Sequence, residues 1–266
     1  MSASPSDAAR VAATSSLLRL SGIGKAYRTG VIAIDHVDLD IGTGSFVSLL
    51  GPSGCGKSTL LRIIAGLAEP TTGERLWMAG AAQRGDIAFV FQEPTLMPWA
   101  TVADNVYLPL RLAGVKRRAA AAPIAEAIAA VGLDGFAGAY PRELSGGMKM
   151  RVSIARAFVT RPRLLLLDEP FAALDEMTRL KLNEDLLRLW QSAGWTVVFV
   201  THSVFESVFL SQRVIIMTQR PGRIAADLAI DLPYPRETEL RMTAAYGDWC
   251  RTVSERLGDA TRRYAP

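Results

Sequence analysis

The chain has 266 residues, 49% of them hydrophobic and 21% charged, which supplies one sizeable core and excludes wholesale disorder. Its 30 Lys and Arg against 26 Asp and Glu leave a net charge of only +4, without a basic block or an aromatic-spaced basic stripe, so nucleic-acid binding has no electrostatic footprint. Cys55 and Cys250 stand apart, signal neither a disulfide framework nor a zinc site, and suit a reduced, cytosolic compartment.

Residues 1–16 lack the apolar run of a signal peptide and are expected to form a flexible tail. Residues 37–41 (VDLDI) alternate at period two, as a half-buried strand does, and 46–50 (FVSLL) read as a strand ending at Gly51-Pro52. A helix is expected over 58–67, closed off by Pro70 and Gly73, and a short apolar strand over 87–91. Between about Trp99 and Phe158 Ala, Leu and Arg dominate and several helices fit, one opening with a capping box of Thr101 and Asp104. Pro162 stops the last of them, and 164–167 (LLLL) have the character of a fully buried strand, far too short to span a bilayer. A helix over 176–193 and strands over 196–201 and 214–217 follow. Residues 231–236 read as a linker, and an amphipathic helix after it would carry Leu240, Ala245, Trp249, Val253 and Leu257 on one side, with Gly247 weakening it. Strands alternating with helices predict an α/β fold whose parallel sheet is covered on both faces, with a helical insert between the 87–91 and 164–167 strands.

Three short segments carry chemistry. Gly51-Pro52-Ser53-Gly54-Cys55-Gly56-Lys57-Ser58 fits G-x-x-x-x-G-K-[ST] between a strand and a helix. Its glycines let backbone N–H groups curl around phosphates, Lys57 reaches the β- and γ-phosphates, and the Ser58 hydroxyl takes a place on Mg²⁺. The buried 164–167 strand delivers Asp168 to its carboxyl end, where it can hold Mg²⁺, and puts Glu169 in position to polarise an attacking water. Residues 144–148 (LSGGM) precede a helix whose start Ser145 caps, and the N–H groups of Gly146 and Gly147 make a second anion-binding helix end. One phosphate loop with two such ends makes sense if the second serves a nucleotide held by another copy of the chain.

Together, over roughly residues 17–230 and in the same order, these segments resemble the ATP-binding cassette (ABC) ATPases. The resemblance implies ATP and Mg²⁺ as ligands and a P-loop NTPase core of RecA type. It further implies an N-terminal antiparallel β subdomain and an α-helical subdomain inserted near 97–158. The cassette is expected over 17–232 and a C-terminal helical extension over 233–266. It makes Tyr27 the aromatic stacked on adenine and residues 51–58 with Thr59 the nucleotide cradle. Gln92 is the glutamine on Mg²⁺ and the attacking water, Ala173-Leu174-Asp175 the loop joining two protomers, and His202, 33 residues past Glu169, the switch histidine on the γ-phosphate. Met148 departs from the Gln that commonly ends the signature segment. The implied partners are a second copy facing the first head to tail, integral-membrane permease subunits and, indirectly, an extracytoplasmic solute-binding protein. The implied place is peripheral, on the cytoplasmic face of the inner membrane.

Residues 92–99 (QEPTLMPW), 145–148 and 220–224 (RPGRI) are similar to the corresponding segments of importer ATPases for nitrate, sulfonates and taurine, and importers of pyrimidine precursors of thiamine look alike too. The rival readings are a soluble ABC ATPase acting on ribosomes and a regulatory nucleotide-binding module without turnover. With only 111 residues between Lys57 and Asp168, there is no room for the long coiled coil of a chromosome or repair ATPase. Leu96, Met97, Pro98 and Trp99 form an apolar patch, either packed on the helical insert of the same chain or open to a permease helix.

Overall fold

Alternating apolar side chains build a first, antiparallel sheet in the computed structural model, which describes residues 15–78, 80 and 85–263. Strands β1 (Ser16–Ala26) and β2 (Ile32–Gly42) form a hairpin that buries Leu18, Leu20, Ile34, Val37, Leu39 and Ile41. Of the expected tail, residues 1–14 lie outside the described residues, and Ser16 already pairs with Gly42.

After β3 (Phe46–Leu50) and α1 (Lys57–Ala65), Gly66 adopts a left-handed conformation (φ 73°) and ends the helix two residues earlier than the sequence suggests. Strand β4 (Thr72–Trp77) closes the first sheet in the order β2-β1-β4. Then come β5 (Ile87–Val90), the helical insert of α2 (Val102–Leu112), α3 (Arg117–Ala130) and α4 (Gly146–Phe158), and β6 (Leu164–Asp168). Helix α5 (Glu176–Ala193), β7 (Thr196–Thr201), α6 (Val204–Leu210), β8 (Arg213–Met217), β9 (Ile224–Ala229) and α7 (Ala244–Arg263) complete the chain.

The second sheet runs β5-β6-β7-β3-β8-β9, parallel from β5 to β8 with β9 antiparallel at its edge. Strands β3, β6 and β7 are buried along their whole length. The reason is two-sided cover, visible in how neighbouring residues separate. Leu165 and Leu167 join Phe46, Phe199, Val106 and Met150 in a core beneath the helices, whereas Leu164 and Leu166 join Val47, Val198, Leu60 and Ile64 under the antiparallel sheet. An uninterrupted leucine run suits only a strand with two apolar faces.

Two expectations need correction, and a third gains detail. Thr101 does cap α2, with its hydroxyl accepting from Asp104 N at 3.2 Å. The Asp104 carboxylate, however, accepts from that hydroxyl at 2.8 Å, so no reciprocal bond of the capping-box kind is made. The 231–236 stretch joins β9 to the last elements without regular structure, and it is pinned in place: buried Arg236 donates to the carbonyls of Val208, Phe209 and Ser211 at 2.9 to 3.0 Å, capping the carboxyl end of α6. Those carbonyls have no partner within the helix, and a cation there also meets the negative end of the helix dipole. Finally, α7 buries Tyr246, Cys250, Val253 and Ala260, with Trp249 and Leu257 against the same core, while Ala245 faces solvent and Leu240 precedes the helix.

Candidate functional site

The carboxyl ends of the parallel strands β3, β5, β6 and β7 carry Gly51, Gln92, Asp168 with Glu169, and His202. Residues 51–56 loop from β3 into α1, with Gly54 at φ 74° and Gly56 at φ 103°, conformations that L side chains rarely adopt. A Cβ on Gly56 would stand 2.7 Å from the Ala33 carbonyl, so β2 presses against this loop. Buried Lys57 donates to the carbonyls of Gly51 at 2.7 Å and Pro52 at 3.0 Å, and its ammonium lies 3.7 Å from Glu169.

Ser58 Oγ donates to Asp168 Oδ1 at 2.8 Å, joining the start of α1 to the end of β6. Burial pushes the Asp168 carboxyl above the usual carboxylate range, while the Ser58 hydroxyl pulls it back. Glu169 leaves the strand with φ 47°, its N–H held by Val200 O at 3.0 Å, and its Oε2 lies 3.3 Å from His202 Nδ1. His202 follows β7 and is steadied on both sides. The Thr201 hydroxyl donates to the buried carboxylate of Glu206, and Ser203 caps α6 by accepting from Glu206 N at 3.3 Å. Burial raises the Glu206 carboxyl, against the pull of the Thr201 hydroxyl.

Lys57, Ser58 and Glu169 line a cleft of about 460 Å³ together with Tyr27, Val31, Ala33, other residues of the phosphate loop, Gln92 and Arg220, and Asp168 and His202 adjoin it through Ser58 and Glu169. Tyr27 is half exposed, so it is no core tyrosine, and its hydroxyl is 3.2 Å from Thr59 Oγ1. Larger concavities of about 550 and 790 Å³ lie away from all of these residues.

Ser145, Gly146 and Gly147 do not line the cleft. They open α4, with Ser145 Oγ accepting from Met148 N at 3.3 Å. Gly147 is buried against the start of α5, where a Cβ would meet Thr178 at 2.6 Å. Met148 is partly buried on the apolar core, which suits a hydrophobic side chain at this position.

The 92–99 segment is fixed from two helices. Arg156 of α4 donates to the carbonyls of Thr95 and Pro94, both at 2.8 Å. Buried Asn105 of α2 accepts from Met97 N at 2.8 Å and donates to the carbonyls of Met97, Ala100 and Thr101. Trp99 is 76% exposed, so it does not pack on its own helical insert, whereas Leu96 does contact the core. Sequence reasoning missed the parts of Asn105 and Arg156, whose only signal is a polar residue inside an otherwise apolar helix face. It also missed the place of Arg220 in the cleft.

Residues 34–172 match the family model described as ABC transporter. The chain belongs to the ABC transporter family. It is 50% identical over 208 residues to the taurine import ATP-binding protein TauB of Rhizobium johnstonii, covering 77% of this chain and 79% of the relative. To the nitrate import ATP-binding protein NrtD of Synechocystis sp. it is 44% identical over 227 residues, 83% of each chain. Among solved structures, it is similar to a dimeric ATP-binding cassette in a post-hydrolysis state bound to ADP and Pi, with a TM-score of 0.70 and 33% identity over 82% of this chain and all of that one. The chain is an ABC ATPase with the P-loop NTPase fold.

Proposed function

We propose that the chain is the ATP-hydrolysing subunit of an importer for nitrate, a sulfonate, taurine or a related small solute. The observation that carries the chemistry is one constellation: Ser58 bonded to Asp168 at 2.8 Å, with Glu169 between Lys57 at 3.7 Å and His202 at 3.3 Å. The subtype rests on the identities to the taurine and nitrate import proteins and on the 92–99 and 220–224 segments.

In this reading Tyr27 stacks on the adenine, residues 51–59 cradle the phosphates and Lys57 neutralises their charge. Ser58, Gln92 and Asp168 would hold Mg²⁺. Their set of hard oxygen donors, with a single carboxylate, suits an ion that keeps substrate phosphates among its ligands. Bound there, Mg²⁺ would neutralise charge developing on the phosphate oxygens. Glu169 accepts hydrogen bonding, and then a proton, from the attacking water. His202 orients Glu169 and reaches toward the γ-phosphate. Ser145, Gly146 and Gly147 serve the nucleotide of a second copy, since they stand outside the cleft of their own chain.

Among the described residues no helix is long and apolar enough to cross a membrane. Membrane attachment then falls to partner permease subunits, reached through the exposed Trp99 and its neighbours, with an extracytoplasmic binding protein delivering solute from the other side. The cassette over 17–232 and the extension over 233–266 would both lie on the cytoplasmic face. The test is Glu169→Gln. Hydrolysis should fall about 10²–10⁴-fold, because general-base or water-orienting help is typically worth that much, while nucleotide binding persists. Lys57→Ala should weaken binding itself. A Glu169→Gln protein turning over ATP at the wild-type rate would overturn the assignment.

A further inference from the structure

Arg220 stands at the phosphate loop, yet none of the roles above uses it. Its Nε and Nη2 both donate to the Gly54 carbonyl, at 3.2 and 3.1 Å, and its side chain lines the same cleft as Tyr27, Lys57 and Gln92. The backbone behind it is bound to β2. Gly222 N donates to Ala33 O at 2.9 Å, and Asp35 N donates to Gly222 O at 3.0 Å. Arg223 forks onto the Asp35 carboxylate. The Thr218 hydroxyl accepts from Arg223 N at 3.0 Å and donates to the Pro221 carbonyl at 3.0 Å, which closes the turn on itself. Gly222 lies so near the loop that a Cβ would stand 2.1 Å from the Cys55 carbonyl. The 220–223 turn is therefore wedged between β2 and the phosphate loop. Its only long side chain directed at that loop is a permanent cation.

We propose that Arg220 is a nucleotide-positioning residue that holds the phosphate loop in its binding shape and adds positive charge for the phosphate chain of ATP. The proposal rests on the nucleotide-site reading above. Two of the five guanidinium donors, on Nε and Nη2, anchor to Gly54, which leaves others for an anion in the cleft. Fixing the Gly54 carbonyl also fixes the Gly54–Cys55 peptide plane. Because that plane is trans, the Cys55 N–H points away from Arg220, toward the inside of the loop, where it meets Pro52 O at 3.4 Å. Lys57 is buried at the floor of the cleft, whereas Arg220 is exposed at its rim, so the two cations approach a polyphosphate from different sides.

The test is fluorescence titration of the full chain with labelled ATP, ADP and AMP, at low and high salt, for wild type, Arg220→Lys, Arg220→Gln and Lys57→Ala. Melting curves report whether each variant is folded. Arg220→Gln should bind ATP about tenfold more weakly, the scale of one charge-assisted hydrogen bond. The loss should shrink from ATP to AMP, and it should shrink at high salt, where an exposed charge is screened. Arg220→Lys should fall between, since it keeps the charge but not the fork. Folded variants that bind ATP within about twofold of wild type would overturn the proposal. So would a loss equal for all three nucleotides and indifferent to salt, because that pattern belongs to a brace without charge. A wild-type chain that binds ATP no better than Lys57→Ala would count against the nucleotide site itself, not against Arg220 alone.

Discussion

Glu169 occupies a left-handed backbone conformation, φ 47°, that costs a non-glycine residue about 1–3 kcal/mol and persists only where its surroundings over-determine it. The surroundings here are a backbone bond to Val200, the Lys57 ammonium on one side and His202 on the other. Nothing in the letters Asp168-Glu169 announces this geometry, although the pair itself stands out at the end of a leucine strand. Beneath His202, Glu206 is buried and its carboxyl is raised by desolvation. A carboxyl whose folded pKa exceeds its unfolded one contributes stability that is full below the unfolded value and is lost as pH rises through the folded value. Glu206→Gln should remove that dependence. The melting temperature of the variant relative to wild type should therefore rise with pH from the ordinary carboxylate value, about 4, upward. A difference in melting temperature that is flat with pH would contradict the burial argument.

At the scale of elements, the start of α4 is locked against the start of α5. Asp175 caps α5 by accepting from Thr178 N at 3.0 Å, and the methyl of that same Thr178 fills the space beside Gly147. Gly147→Ala should push the two helix starts apart and destabilise the chain by about 1–3 kcal/mol, the usual cost of overpacking. Thr178→Ser removes the obstructing methyl but keeps the hydroxyl, so the double variant should recover most of the loss in chemical denaturation. Equal stability of Gly147→Ala with and without Thr178→Ser would show that the contact is not limiting. Strands β3, β6 and β7 were legible because two-sided burial demands unbroken apolar runs. Strands β4 and β9 were not, since each lies at a sheet edge with half its residues or more in solvent. On α7 the expected Trp249, Val253 and Leu257 do face the core, joined by Tyr246 and Cys250, whereas Ala245 lies in solvent.

The whole molecule holds two glycine-bearing helix starts, at Lys57 and at Gly146, that do not line one cleft within a single chain. The cleft lined by Lys57, Ser58 and Glu169 was readable from motif spacing, because the loop after β3 and the carboxylates at the end of β6 must converge at the carboxyl ends of a parallel sheet. Arg220 escaped notice because its contact with Gly54 spans 166 residues and depends on how the turn after β8 meets β2. In the proposed reading Ser145, Gly146 and Gly147, which stand outside the cleft, serve the nucleotide of a second copy. The decisive measurement is ATP hydrolysis by a mixture of Ser145→Arg and Lys57→Ala chains. A mixed dimer can assemble one site that has intact Lys57 from one copy and intact Ser145 from the other. The mixture should regain activity absent from either variant alone. Mixed dimers that form but stay inactive would contradict it.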